Sequence, residues 1–406
     1  MRSFSFLAKL TLAAFIGACS PADKGVFGEP EMLSTPATRK VSGPRLSEGT
    51  SGNLVLSWME SGDSGTDLKF ATYEDGGFAD ASLVVTEPRM FVNWADLPSV
   101  LHVSEDHWLA HWLRYSADKT YSYDVVVSQS FDGGESWSDP VAAHTDGTPT
   151  EHGFVSLHRD PDGVALLWLD GRDTANETSE NVLDTSMTLR SAVITPDGDR
   201  LREQLVDDSV CDCCQTDVAI STSGPVAVYR DRTADEVRDI YVTRFVDGDW
   251  QAGAPLHADN WNIPGCPVNG PSIVAQDNSV AVAWFTAADE KPSVRVVFSN
   301  DGGATFGDPV EIASGRLAGF VGLAILDEDA MAISWVSRNE SGSNAINIRR
   351  VTTDGQMDPV RMVATTEQLR VFPQLAFHDE NLVLAWTDEI NETRQMRVAQ
   401  IPVLTR

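Results

Sequence analysis

Four cysteines, a run of arginines and several carboxylates crowd the middle of this chain. In "DSVCDCCQT" (residues 208–216) Cys211, Cys213 and Cys214 fall within four positions, and Cys266 follows in "DNWNIPGCPVNG" (residues 259–270). Such thiols can pair: Cys211 or Cys213 with Cys266 would tie two loops, and a vicinal Cys213–Cys214 bond is the variant. As thiolates, with His152 as a further donor, they would instead bind copper or zinc, although C-x-C-C is not a standard zinc spacing. Arg172 in "LDGRD" and Arg230, Arg232 and Arg238 in "YRDRTADEVRD" stand among Asp170, Asp173, Asp231, Glu236 and Asp239. Guanidinium forks grip carboxylates in parallel bonds, which suits an anionic ligand; the same run also reads as solvated loop ion pairs. Asp96, Glu151, Asp170 and Glu236 are carboxylates that would serve as general acid or base once partly desolvated. His144 and His152 of "HTDGTPTEHG" are candidate proton shuttles or ligands. Trp94 in "FVNWAD", Trp261 and Asn269 complete the ligand-binding set.

The elements that must hold these residues repeat. Short alternating runs ending in an aromatic recur seven times, at Trp58, Trp112, Trp168, Tyr229, Trp284, Trp335 and Trp386, with a pitch of about 55 residues. Period-2 alternation marks each as a half-buried strand, and similar runs precede and follow it. Four antiparallel strands per unit, repeated radially, predict an all-β protein: a β-propeller of seven blades over residues 28–406, with six blades as the alternative. Asp-Gly pairs from Asp75-Gly76 to Asp354-Gly355 mark the hairpins between third and fourth strands. The seventh unit runs out after its third strand. The N-terminal "GEPEMLS" (residues 28–34) is therefore expected to close the ring against residues 397–403, leaving no open edge.

Antiparallel alternation sorts the loops into two faces. Third-to-fourth-strand hairpins share one face. Inter-blade loops and second-to-third-strand loops share the other, where the candidate catalytic, ligand-binding and thiol residues fall, and a polar crescent over blades 2 to 5 is the predicted pocket. Two hairpins of the first face carry S-x-D-x-G-x-x-aromatic: Ser130, Asp132, Gly134 and Trp137, then Ser299, Asp301, Gly303 and Phe306. Such a corner needs glycine for positive φ, a carboxylate for the turn amides and an aromatic to pack between blades.

With the repeat pattern, these corners resemble the Asp-box, or bacterial neuraminidase repeat, of the sialidase-like superfamily over nearly all the mature chain. The resemblance implies that the corners are structural and that the opposite face holds any glycosidase site, here for exo-cleavage of acidic glycans. That family uses an arginine triad, a tyrosine nucleophile assisted by Glu, and an Asp acid. No triad carries over residue by residue, and "SGPRLS" with Arg45 replaces the family's Arg-Ile-Pro opening. Through "TEHGF", "CDCCQT", "YRDR" and "CPVNGP" the chain looks closest to bacterial propellers labelled sialidase-like. A non-catalytic propeller that binds a ligand, protein or metal through the same face is the alternative.

Arg2 and Lys9 flank an apolar stretch, "LTLAAFIGAC", too short to span a bilayer. Its I-G-A-C ending resembles the lipobox of bacterial lipoproteins. This implies a signal peptide over residues 1–18, a lipid on Cys19, a tether over residues 19–27 and, with Ser20 next, residence in the outer membrane by that anchor alone. The chain has 60 acidic and 30 basic residues, a net charge of −30. Such acidity repels phosphate backbones and argues against nucleic acid as a partner. A glycan or other small anionic ligand is expected, on a monomeric protein.

Overall fold

The computed structural model describes residues 25–175, 186–340, 342–368, 370–390 and 392–404. Cys19 and the rest of the expected signal lie outside them. The described chain forms seven antiparallel sheets, over residues 41–87, 99–142, 152–210, 217–255, 272–314, 317–366 and 374–402. Each has four strands in radial order, and blades 1 and 4 split the outermost into two short pieces. Buried apolar clusters join blade 1 to 2, 2 to 3, and so on to 7, and a further cluster joins 7 back to 1. The ring is a seven-bladed propeller.

The aromatic that ends each second strand explains the repeat. All seven are buried, each between its own sheet and a neighbour. A buried indole N–H or phenol needs an acceptor. Trp58 donates to Glu60 at 2.9 Å, Trp168 to Asp170 at 2.7 Å, Trp284 to Asp259 at 2.7 Å and Tyr229 to Asp207 at 2.6 Å. Several carboxylates near the loop-rich face are thus acceptors for the core.

Closure occurs where expected. Glu31, Met32 and Leu33 pair with Gln400, Ala399 and Val398, supplying the fourth strand of blade 7. The chain joins the fold a little before residue 28: Val26 and Phe27 are buried among blades 6 and 7, and Val26 N–H donates to Asp358.

The two S-x-D-x-G corners are built alike. Ser130 Oγ donates to Asp132 Oδ1 at 2.8 Å and accepts from Gly134 N–H at 2.9 Å, while Asp132 accepts from Ser136 N–H at 2.9 Å. Ser299, Asp301, Gly303 and Thr305 repeat this. The bonds from Ser136 and Thr305 pull both carboxyls down to about 2. A Cβ on Gly134 (φ +90°) would stand 2.7 Å from Phe70 Cζ of blade 1, and one on Gly303 3.0 Å from Val226 of blade 4. Trp137 meets Phe70 edge-on, and Phe306 packs against the cluster between blades 4 and 5. Each corner seats its blade on the preceding one, at the face opposite the polar loops.

Candidate active site

The loop between blades 1 and 2 crosses toward the ring axis. Trp94 reaches Phe320 of blade 6, ring to ring at 5.9 Å, and Arg370 lies 5.2 Å over its indole. Two residues on, Asp96 is only 1% exposed. Its Oδ1 accepts from Phe154 N–H at 2.8 Å, and its Oδ2 has no hydrogen-bond partner among the described residues. Gly153 makes room for it, since a Cβ there would fall 2.0 Å from Oδ2. Burial pushes the Asp96 carboxyl up to about 8; the Phe154 bond opposes this and Glu151 adds to it.

Glu151 precedes the first strand of blade 3 and bridges to Tyr123, which opens the third strand of blade 2 (Tyr123–Ser130). Tyr123 is fully buried and stacks on Phe91 at 4.0 Å. Its hydroxyl donates to Glu151 Oε1 at 2.5 Å. Burial raises Glu151 to about 7, against the pull of the Tyr123 bond and with help from Asp212. The same desolvation pushes the Tyr123 hydroxyl far up, so it stays a phenol. Glu151 lines a cavity of about 470 Å³ with Asp212, Lys119, Tyr121, Gly171 and Met187. Burial pushes Asp212 up as well. A carboxyl that exchanges its proton near neutrality, oriented by a fixed phenol and open to a cavity, can serve as general acid or base.

Behind Glu151 lies a charged wall. His144 and His152 stack at 3.8 Å, both buried. Asp146 joins them, 2.5 Å from His144 Nδ1 and 3.3 Å from His152 Nε2. Burial pulls His152 down, but Asp146 and Asp170 outweigh it and hold the imidazole above its ordinary value. Arg172 forks onto Asp170 at 2.8 and 2.7 Å and reaches Glu203 at 2.8 Å. Burial works to raise Asp170, yet Arg172 and His152 keep it below the usual range, and it also takes the Trp168 N–H. Donor atoms of Asp124, His144 and His152, and of Asp146, His152 and Asp170, lie within 4.8 Å of one another and could hold a metal ion. Arg172 already brings a positive charge to Asp146 and Asp170.

The second group lies over blades 3 to 5. A disulfide joins Cys213 to Cys266 and ties the two loops, while Cys211 and Cys214 remain buried thiols. Cys211, Cys213 and Cys266 have the proximity of metal ligands, but two of these sulfurs are already bonded to each other. Glu236 is clamped by two forks: Arg232 at 3.1 and 2.7 Å, and Arg238 at 3.1 and 2.7 Å. Arg232 also reaches Asp212 at 3.3 Å. Arg230, 2% exposed, donates to the carbonyls of Asn269, Arg238 and Phe285 and lies 4.9 Å over the Trp261 ring. Asn269 Oδ1 accepts from Phe320 N–H at 2.7 Å. Arg172, Arg230, Arg232 and Arg238, read from sequence as a ligand grip, all have partners inside the protein.

The structure therefore brings most of the sequence candidates into two groups that meet at Asp212, while Trp94 lines a separate cavity with Arg370 and Phe372. Tyr123, Asp124, Asp146 and Asp212 belong to the site although nothing in the sequence distinguished them. Their one shared signal is position, at strand ends or in loops of the same face.

No protein-family model and no curated protein matches the chain. Solved structures do. The polysaccharide lyase Uly1 is 9% identical, with 90% of each chain covered and a TM-score of 0.51. That likeness is one of fold. An ulvan lyase bound to -[GlcA(1-4)Rha3S]- is 11% identical over 76% of this chain and 78% of its own, with a TM-score of 0.47. Trypanosoma rangeli sialidase in complex with the inhibitor DANA is 11% identical, with a TM-score of 0.47 over 91% of this chain and 59% of the sialidase. At these identities the likeness is one of architecture, and the chemistry must be argued from the site.

Proposed function

We propose that this protein is a glycan-cleaving enzyme for acidic chains, acting at the cavity floored by Glu151 and working at the cell envelope on a lipid anchor at Cys19. The observation that carries the reading is the Glu151–Tyr123 pair. Below about pH 7 the Glu151 carboxyl holds its proton and can donate it to a glycosidic oxygen as the C–O bond breaks. The Tyr123 phenol keeps its own proton and fixes the orientation of the carboxyl. Asp212 on the same cavity supplies the second carboxyl that acid-assisted glycoside cleavage uses. A neutral Glu151 also removes the like charge that would repel a sugar acid, and Lys119 on the rim supplies a countercharge. The fold shared with a polysaccharide lyase agrees with a glycan as substrate class.

The test is a screen of sialylated, uronate-containing and neutral glycans, following new reducing ends and the ultraviolet absorbance of unsaturated uronides. Glu151→Gln should lower kcat by about 10²-fold or more with the fold intact, since a positioned acid contributes that much. Binding without turnover, unchanged in Glu151→Gln, would instead support the non-catalytic alternative.

A further inference from the structure

The four sulfurs of blades 3 to 5 are unused by this reading, and their burial is graded. Cys266 is exposed, Cys213 half-buried, and Cys211 and Cys214 are 1% and 2% exposed. The Sγ atoms of Cys211, Cys213 and Cys266 lie within 4.8 Å of one another, and Cys211 and Cys214 share a hydrogen bond at 3.5 Å. A structural clasp would need only the bonded pair. Here a second pair sits in contact behind it, with Arg238 Nη1 at 3.3 Å from Cys211 Sγ. The thiolate is the nucleophile of disulfide exchange, and a guanidinium beside it favours that form. The bond from Cys214, then Arg238 and Arg230 working against burial, bring Cys211 down to about 6. The same two cations oppose a metal ion among these sulfurs.

We propose that the four cysteines form a thiol–disulfide exchange relay, passing two electrons between the buried pair Cys211/Cys214 and the exposed pair Cys213/Cys266. The Cys211 thiolate attacks Cys213 Sγ. A Cys211–Cys213 bond forms as Cys213–Cys266 breaks, and Cys266 leaves as a thiolate. Cys214 then passes its proton to Cys266 and attacks Cys211. A Cys211–Cys214 bond forms and Cys213 is released as a thiolate. The buried pair has been oxidised and the outer pair reduced, with no external oxidant consumed. An external low-molecular-weight disulfide, entering at the outer pair, restores Cys213–Cys266 and leaves as two thiols. The relay is thus loaded and discharged from its exposed end.

The test is disulfide mapping by mass spectrometry after equilibration in glutathione buffers of graded redox ratio, with acid quench and alkylation. The relay requires a Cys211–Cys214 bond to appear, preceded in time by a transient Cys211–Cys213 bond with Cys266 alkylated. Cys214→Ser should halt the relay midway, so that Cys211–Cys213 accumulates several-fold over wild type. If that variant does not fold, the wild-type time course decides alone. Recovery of Cys211 and Cys214 as free thiols in every buffer, while Cys213–Cys266 opens and closes, would overturn the proposal. So would a Cys211–Cys214 bond that forms without Cys213–Cys266 opening, or one equivalent of copper or zinc retained through dialysis.

Discussion

The Tyr123 hydroxyl donates to Glu151 Oε1 across the seam between blades 2 and 3, at 2.5 Å. Two blades must dock before this bond can form, so the acid is set by the ring rather than by its own loop. The bond favours the charged carboxylate, while burial of Glu151 disfavours it more. Tyr123→Phe should therefore raise the Glu151 pKa above about 7. If Glu151 is the general acid, activity falls as pH rises through its pKa, and the variant's alkaline limb in kcat/KM should lie at higher pH. A limb that does not move would separate Glu151 from the titrating group.

Asp96 makes a prediction that needs no substrate. Its native carboxyl keeps its proton to about pH 8, whereas the unfolded chain releases it near the ordinary value of 3.8. Between those values the native state binds more protons, so the contribution of Asp96 to stability falls as pH rises. Asp96→Asn stays neutral and keeps an acceptor for Phe154 N–H. It should match wild type near pH 4 and gain on the order of a few kcal/mol by pH 8. Thermal unfolding at the two pH values checks this, and a gain of equal size at both would point to packing rather than charge.

Arg230 tests how the arginines are employed. Its guanidinium bonds three backbone carbonyls and is covered by Trp261, so removing it leaves buried acceptors unsatisfied. Arg230→Met should cost about 3 kcal/mol in urea unfolding, on the scale of breaking a buried charge network. Arg172→Met, on a side chain 16% exposed whose loss leaves Asp170 still facing His152, should cost less. The reverse order would mean that the carbonyl bonds contribute little.

The contrast between ring and site shows what a single chain makes readable. Each blade must offer the same aromatic strand to its neighbours, so Trp58 through Trp386 recur at a fixed pitch and expose the count of seven. The last unit lacked a fourth strand, so the spare segment around Met32 had an identifiable destination. Loops obey no such constraint. Glu151 stood out by its type, but Tyr123 is the unremarked first residue of a strand in another blade, and only docking makes them partners. Cys213 and Cys211 were equal claimants for Cys266 until the loop paths chose Cys213. Arg230 and Arg232 read as a ligand grip because charge type gives no direction, whereas Arg230 ends a second strand that is covered on both sides and Arg232 turns back onto Glu236.

Ring closure gives the last prediction. Phe27 is 3% exposed in the cluster of blades 6 and 7 and bridges to Val403. Arg361 donates to its carbonyl at 3.2 Å and to that of Gly28 at 2.7 Å, and Gly28 N–H donates to Pro402 O at 2.8 Å. The seam is therefore packed as well as paired. Phe27→Ala should remove apolar contact without touching the pairing of Glu31, Met32 and Leu33, at a cost of about 3 kcal/mol. Deleting residues 25–35 removes both and exposes the strand Thr393–Pro402 along its edge. The deletion should lower Tm more than Phe27→Ala, and should promote association between chains through that edge, seen by light scattering. A deletion no worse than the point substitution would mean that the short outer strand contributes nothing and that Phe27 alone holds the seam.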